Sequence, residues 1–232
     1  KKASRINLRG VFFYIMSLYQ NYFNQFKSAV SATRRDLSEI DLIAVSKKKP
    51  SSDIRKVIEQ GHISYGENQI QEVENKWTNL KNEFSHLKLH FIGGIQSRKV
   101  KSIYAHCDVV HSLDRLKIVK MFSELETMQG LSREYFIQIN TGDESQKSGV
   151  ILSEADKFIS TCIENYNLKI IGLMCIPPFN EDPKKHFLTL SDIAKNFNLP
   201  ALSMGMSNDF EVALKCGATH IRIGTKIFGE RN

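Results

Sequence analysis

The stretch Asp41–Gln71, DLIAVSKKKPSSDIRKVIEQGHISYGENQIQ, decides the fold. Residues 41–46 form a short apolar run rich in β-formers, and Lys47-Lys48-Lys49-Pro50 breaks it. Ser51, Ser52 and Asp53 offer N-cap side chains for a helix over 51–60, which Gly61 ends. A second strand over 62–65 stops at Gly66-Glu67-Asn68. This is a βαβ unit whose first strand runs into a lysine. Alternate strand residues share a face, so Ile43, Val45 and Lys47 point one way and Leu42, Ala44 and Ser46 the other. In a sheet closed into a barrel, Lys47 sits at the inner rim of the C-terminal mouth. There, partial desolvation makes a lysine easier to deprotonate and a better nucleophile.

Outward from this unit the alternation continues. A helix over 17–35 precedes it, with Tyr19, Tyr22, Phe23, Phe26, Val30 and Thr33 on one face. Downstream, the pattern predicts helices at 69–82, 96–105, 115–129, 152–165, 182–197 and 208–216. Strands are expected at 88–92, 108–112, 134–140, 169–176, 201–204 and 219–223, and a short helix closes the chain. Asp114 and Ser207 are expected to cap two of the helices. About eight strands alternating with helices mean a parallel sheet, and over about 200 residues they fit a single (β/α)8 TIM barrel. An open doubly wound sheet is the alternative, but its glycine-rich dinucleotide fingerprint is absent from the sequence.

Composition narrows the functional classes. The chain has 232 residues, with 41% hydrophobic and 25% charged, as in an ordinary globular domain. Cys107, Cys162, Cys175 and Cys216 are widely spaced and form no CxxC pair, so zinc and thioredoxin-like readings fail and free thiols in a reducing cytosol are expected. The net charge of +7 is partly local: residues 1–15 hold four Lys/Arg and no acid, leaving 28 basic against 25 acidic residues. No basic motif interleaved with aromatics points to nucleic acid. The leader KKASRINLRGVFFYI is too short in its apolar part to span a membrane, which takes about 20 residues. Met16 reads as the true start and 1–15 as a disordered or non-native extension, with 16–232 as the barrel.

The chemistry follows from the strand ends. Phosphate commonly binds after strands 7 and 8 of such barrels. Ser203-Met204-Gly205-Met206-Ser207 and Arg222-Ile223-Gly224-Thr225 occupy those ends, with glycines for close approach and hydroxyls for hydrogen bonds. Each turn alone is adequately explained as a cap or a bend; two at adjacent strand ends favour phosphate. Arg222 points into the barrel with His220 and Gly224, while Ile221 and Ile223 face the helices. A buried arginine needs a partner, either an acid such as Glu67 or a ligand. Lys47, as one of three lysines, has a solvated charge run as its bland alternative. With phosphate turns opposite, a phosphorylated carbonyl ligand is the economical reading: a sugar phosphate, as in Schiff-base aldolases, or pyridoxal 5′-phosphate (PLP).

The stretches LIAVSKKKP, YGENQIQE, LHFIGGIQSRKV, HSLDRLKI, IQINTGDESQKSG, IIGLMCIP and LSMGMSNDFEVALKCGATHIRIGTKIFGER occur in order from Leu42 to Arg231. Together they resemble the PLP-binding, or PLP homeostasis, protein family, which is similar to the N-terminal barrel of alanine racemase. The resemblance implies that Lys47 holds PLP covalently as an internal aldimine. It implies that Arg222 faces the pyridine nitrogen, that Ser207, Gly224 and Thr225 take the phosphate, and that Asn68 lies near the ring. Lys48, Gly94 and Arg98 stand where threonine, proline and asparagine are usual, and the Thr141–Ser148 loop is worded differently.

The expected function is therefore a cytoplasmic, monomeric PLP carrier and regulator of PLP supply, with no catalytic residues and no metal. Its expected partners are PLP and apo PLP-dependent enzymes as acceptors, with neither nucleic acid nor membrane. An always-charged guanidinium beside the ring nitrogen opposes its protonation and weakens the ring as an electron sink. An amino-acid racemase is the first rival and a Schiff-base aldolase the second. For a racemase, Tyr65 at the rim is the remaining candidate for a second acid–base group.

Overall fold

A computed structural model describes residues 8–230. Nine strands are present among them: β1 Asp41–Val45, β2 Ser64–Glu67, β3 Lys88–Phe91, β4 Val109–Leu113, β5 Glu134–Asn140, β6 Val150–Ile151, β7 Lys169–Met174, β8 Ala201–Ser203 and β9 His220–Ile223. Their order is β4-β3-β2-β1-β9-β8-β7-β5-β6, and β4 also pairs with β5. That last pairing closes eight strands into a barrel and leaves β6 as a two-residue addition beside β5. Closure rules out the open sheet. Every pairing is parallel, as helical crossovers between successive strands require.

The helices form the outer layer. One of them, Leu8–Ala32, begins inside the segment read as an extension, upstream of the expected residue 17, and residues 1–7 lie outside the described part. Its buried face carries Tyr19, Tyr22, Phe26 and Val30, as the 3.6-residue spacing predicts. No helix among the described residues is long and apolar enough to cross a membrane.

Parity along the strands sorts the side chains into two cores. Leu42, Ala44, Tyr65, Leu89, Leu173, Leu202, Ile221 and Ile223 pack in the large core between sheet and helices. Val109, Phe136, Met174 and Ala201 form a small apolar plug of their own. Ile43 and Val45 share the inner face with Gly66: a Cβ on Gly66 would lie 2.9 Å from Ile43 Cγ2 and 3.6 Å from Val45 Cγ2.

Several local expectations need correction. β2 extends through Glu67 instead of ending at residue 65, because Gly66 and Glu67 pair with His90 and Phe91. Tyr65 is therefore not at the rim. It is fully buried against Trp77 and His62, and its hydroxyl donates to His62 O at 3.1 Å. Helix Ser51–Ile58 has Pro50 at its N-cap and no side-chain cap. Ser207 does not cap either: it lies in a turn, and Asp209 precedes helix Phe210–Lys215. Asp114 pairs with Arg115 at 2.8 Å, and Arg115 takes the N-cap position of Leu116–Gln129 without a side-chain cap. Gly61 does end its helix, at φ +85°.

Candidate functional site

Lys47 follows β1 in a tight turn at the C-terminal mouth. Lys49 N–H donates to Ser46 O at 3.1 Å, which closes the turn, and Lys48 takes a left-handed φ of +60°. The helical segment 70–83 holds this turn from outside. Glu72 Oε2 accepts Lys48 N–H at 2.6 Å, and Lys76 Nζ donates to Ser46 O at 3.0 Å and to Lys49 O at 3.3 Å. Val73–Trp77 is a π turn inside that segment, and such bulges re-aim side chains. Here Lys76 and Trp77 both reach Glu67 Oε1, at 2.6 and 3.1 Å. Burial raises the Glu67 carboxyl above its ordinary range, and Lys76 works against that shift.

Register brings the other rim residues to Lys47. Val45 pairs with Gly66, so Lys47 and Asn68 are each two residues past a paired position. Asn68 is fixed from the far side by Gly93, where a Cβ would lie 2.1 Å from Asn68 O. On the other flank Ala44 pairs with Ile223, which puts Gly224 level with Val45, and a Cβ there would lie 3.3 Å from Val45 O. Thr225 opens the closing helix Thr225–Phe228 and is exposed.

The turn after β8 reaches the same rim. Ser203 pairs with His220, and Arg222 N–H donates to Gly205 O at 3.1 Å, which brings the turn that holds Ser207 to the end of β9. Gly205 has a φ of +95°, and a Cβ would strike Ala213 Cβ at 2.6 Å, so the turn and its packing against the next helix both require a glycine here. Asp209 Oδ1 accepts Met206 N–H at 2.6 Å and sets the turn. A cavity of about 590 Å³ opens beside it, lined by Lys147, Pro178, Met206 and Ser207 among others.

Arg222 lies one layer below the rim, opposite Ile43, and is 5% exposed. It does not pair with Glu67, which faces the helix layer. Nη1 donates to Ser203 Oγ at 2.5 Å and Nη2 to Cys175 O at 2.9 Å, both neutral acceptors. No ion pair to Arg222 forms among the described residues.

The arrangement offers an amine at the rim, a buried guanidinium facing the same interior, and hydroxyls on the turns after the neighbouring strands β9 and β8. Among the described residues no cluster of His, Cys, Asp or Glu is placed to hold a metal. The amine can bond a carbonyl, the guanidinium can meet a ring acceptor, and the turns can take an anion. A phosphorylated aldehyde with an aromatic nitrogen fits this set.

Comparison with known proteins agrees. Residues 19–232 match the model of the alanine racemase N-terminal domain. The chain is 36% identical to the pyridoxal phosphate homeostasis protein of Escherichia coli (strain K12) over 217 residues, covering 89% of this chain and 93% of the relative. The chain belongs to this family. Its Aquifex aeolicus relative of the same name is 38% identical over 199 residues, covering 82% and 86%. PipY of Synechococcus elongatus PCC7942, solved with PLP bound, superposes with a TM-score of 0.75 at 27% identity, covering 87% of this chain and 99% of PipY.

Within this homeostasis-protein barrel, some elements went unforeseen in the sequence. Glu72, Lys76 and Trp77 support the Lys47 turn from outside. Their signal was weak, since 72 and 76 read as an ordinary surface pair four residues apart. His90 and His111 occupy the barrel interior. Their signal was present: each is a lone histidine in an apolar strand on inward parity.

Proposed function

We propose that this protein binds PLP at the mouth of its barrel, with Lys47 Nζ bonded to the carbonyl carbon, and serves PLP homeostasis as a carrier. One observation carries the reading: Lys47, Asn68, Ser207, Gly224 and Thr225 follow strand ends at one mouth of the barrel, above a buried arginine that forms no ion pair among the described residues. Bound PLP would supply an electron-withdrawing ring and the carbonyl carbon that Lys47 Nζ bonds, with the carbonyl oxygen leaving as water. Arg222 would face the ring nitrogen and, being always charged, oppose its protonation. Ser207, Gly224 and Thr225 would take the phosphate, and Asn68 would flank the ring. The name and the bound PLP of the relatives support this assignment. Four buried free thiols fit a reducing compartment, and we place the protein in the cytoplasm, acting as a monomer that hands PLP to apo enzymes.

The racemase reading is the second, favoured by the shared fold. Inversion at Cα takes a proton from one face and delivers one to the other. Lys47 can serve one face; Tyr65 is turned into the helix layer and cannot serve the other. Incubation of PLP-loaded protein with L-alanine in heavy water distinguishes the two. The carrier reading predicts at most slow deuterium exchange with retention. Formation of D-alanine at about 1 per second or faster, the lower end of ordinary turnover, would overturn it.

A further inference from the structure

Five polar side chains run in line through the barrel interior. Arg222 Nη1 donates to Ser203 Oγ at 2.5 Å. Ser203 Oγ lies 2.8 Å from His111 Nδ1, and His111 Nε2 lies 2.9 Å from His90 Nδ1. His90 Nε2 lies 3.4 Å from Asp41 Oδ2 at the opposite end of the barrel. Ser203, His90 and His111 are completely buried.

The Asp41 end sets the direction by charge: His90 Nε2 makes no hydrogen bond among the described residues, but the Asp41 carboxylate 3.4 Å away favours an N–H over a lone pair there. A guanidinium only donates and a carboxylate only accepts. Burial lowers both histidines, His90 to about 3 and His111 well below the usual range, so each is neutral with one donor and one acceptor nitrogen. His90 therefore carries its proton on Nε2, facing the Asp41 carboxylate as a charge–dipole contact without a hydrogen bond, which leaves its Nδ1 as acceptor. His111 donates from Nε2 to that nitrogen and accepts at Nδ1. The Ser203 hydroxyl donates to His111 Nδ1 and presents lone pairs to Arg222. The reverse order would aim a His90 lone pair at the Asp41 carboxylate.

We propose that this one-way chain makes His111 a positioning residue for Arg222, holding the guanidinium toward the ring nitrogen of PLP through Ser203. Because the acceptors at Arg222 are neutral, its charge remains directed at the ligand, and the compensating carboxylate lies beyond Ser203, His111 and His90. The inference rests on the PLP reading above for its ligand, but its hydrogen-bond direction does not.

Two experiments test it separately. Nitrogen-15 NMR of the ligand-free protein should show His90 and His111 both as Nε2–H tautomers; an Nδ1–H tautomer at His111 overturns the chain. Binding of PLP is then compared with its 1-deaza analogue, in which the ring nitrogen is replaced by CH. The wild-type protein should prefer PLP by about tenfold or more, the equivalent of one charge-assisted hydrogen bond. His111→Phe should lose that preference, and His111→Gln, with its own acceptor and donor, should keep it. A preference retained in His111→Phe, or lost equally in His111→Gln, sinks the positioning role alone. Failure of the wild-type protein to take up either ligand removes the PLP reading itself, and equal uptake of both removes the Arg222 contact.

Discussion

Ser46 Oγ donates to Glu67 Oε1 at 2.7 Å across β1 and β2. These residues immediately precede Lys47 and Asn68, so one hydrogen bond on the outer face ties together the backbones that present both rim residues inside. Lys76 and Trp77 complete the clamp on the same carboxylate oxygen. The Lys47 turn is thus held from behind by groups on the outer face of the strands.

Removing the ammonium leaves a buried charge in place. Lys76→Met is expected to destabilise the protein by about 3–5 kcal/mol, the usual cost of breaking a buried pair from one side. The double variant Glu67→Gln/Lys76→Met should recover part of that loss. Urea unfolding at neutral pH checks both, and an unchanged midpoint in Lys76→Met would show that the pair contributes nothing.

Stability should fall as pH falls from about 6.5 toward 4. Burial lowers His62 and His220 to about 4 and His90 to about 3, with His111 lowered as well. The unfolded chain binds protons at these sites first, so stability is fully present above pH 6.5 and drains through that window. Each histidine contributes on the order of 1 kcal/mol per pH unit. Glu67 and Asp114, both raised by burial, work in the opposite direction, but they are two groups against four. Urea midpoints at pH 7.5, 6 and 5 measure this, and equal midpoints would contradict it.

Ser207→Ala combined with Thr225→Ala should weaken PLP more than pyridoxal, since only PLP carries the phosphate. Each lost charge-assisted hydrogen bond is worth about 1.5–3 kcal/mol. Equal weakening of both ligands in parallel titrations would move the phosphate elsewhere.

The barrel was legible because alternation and parity are local signals. Ile221, Arg222 and Ile223 needed only a period of two to be sorted between helices and interior. The Lys47 rim was legible for the same reason. The supports were not, because they depend on register between distant segments. Glu67 meeting Lys76 depends on a π turn that the residue pattern at 73–77 does not announce. Arg222 meeting Ser203 instead of an acid depends on how β8 lies beside β9. Capping failed at Ser207 and Asp114 because hydrogen-bond capacity alone does not decide which residue of a turn adopts the cap geometry.

The most direct measurement is the site of covalent attachment. PLP-loaded protein is reduced with borohydride, digested and analysed by mass spectrometry, beside Lys47→Ala, which should keep its fold because the side chain leaves the strand at the rim and not in the core. The adduct is expected on Lys47 in the wild-type protein and is expected to be lost in Lys47→Ala, with circular dichroism and melting unchanged. An adduct found on Lys48 or Lys49 instead, or one that persists unchanged in Lys47→Ala, would contradict this expectation.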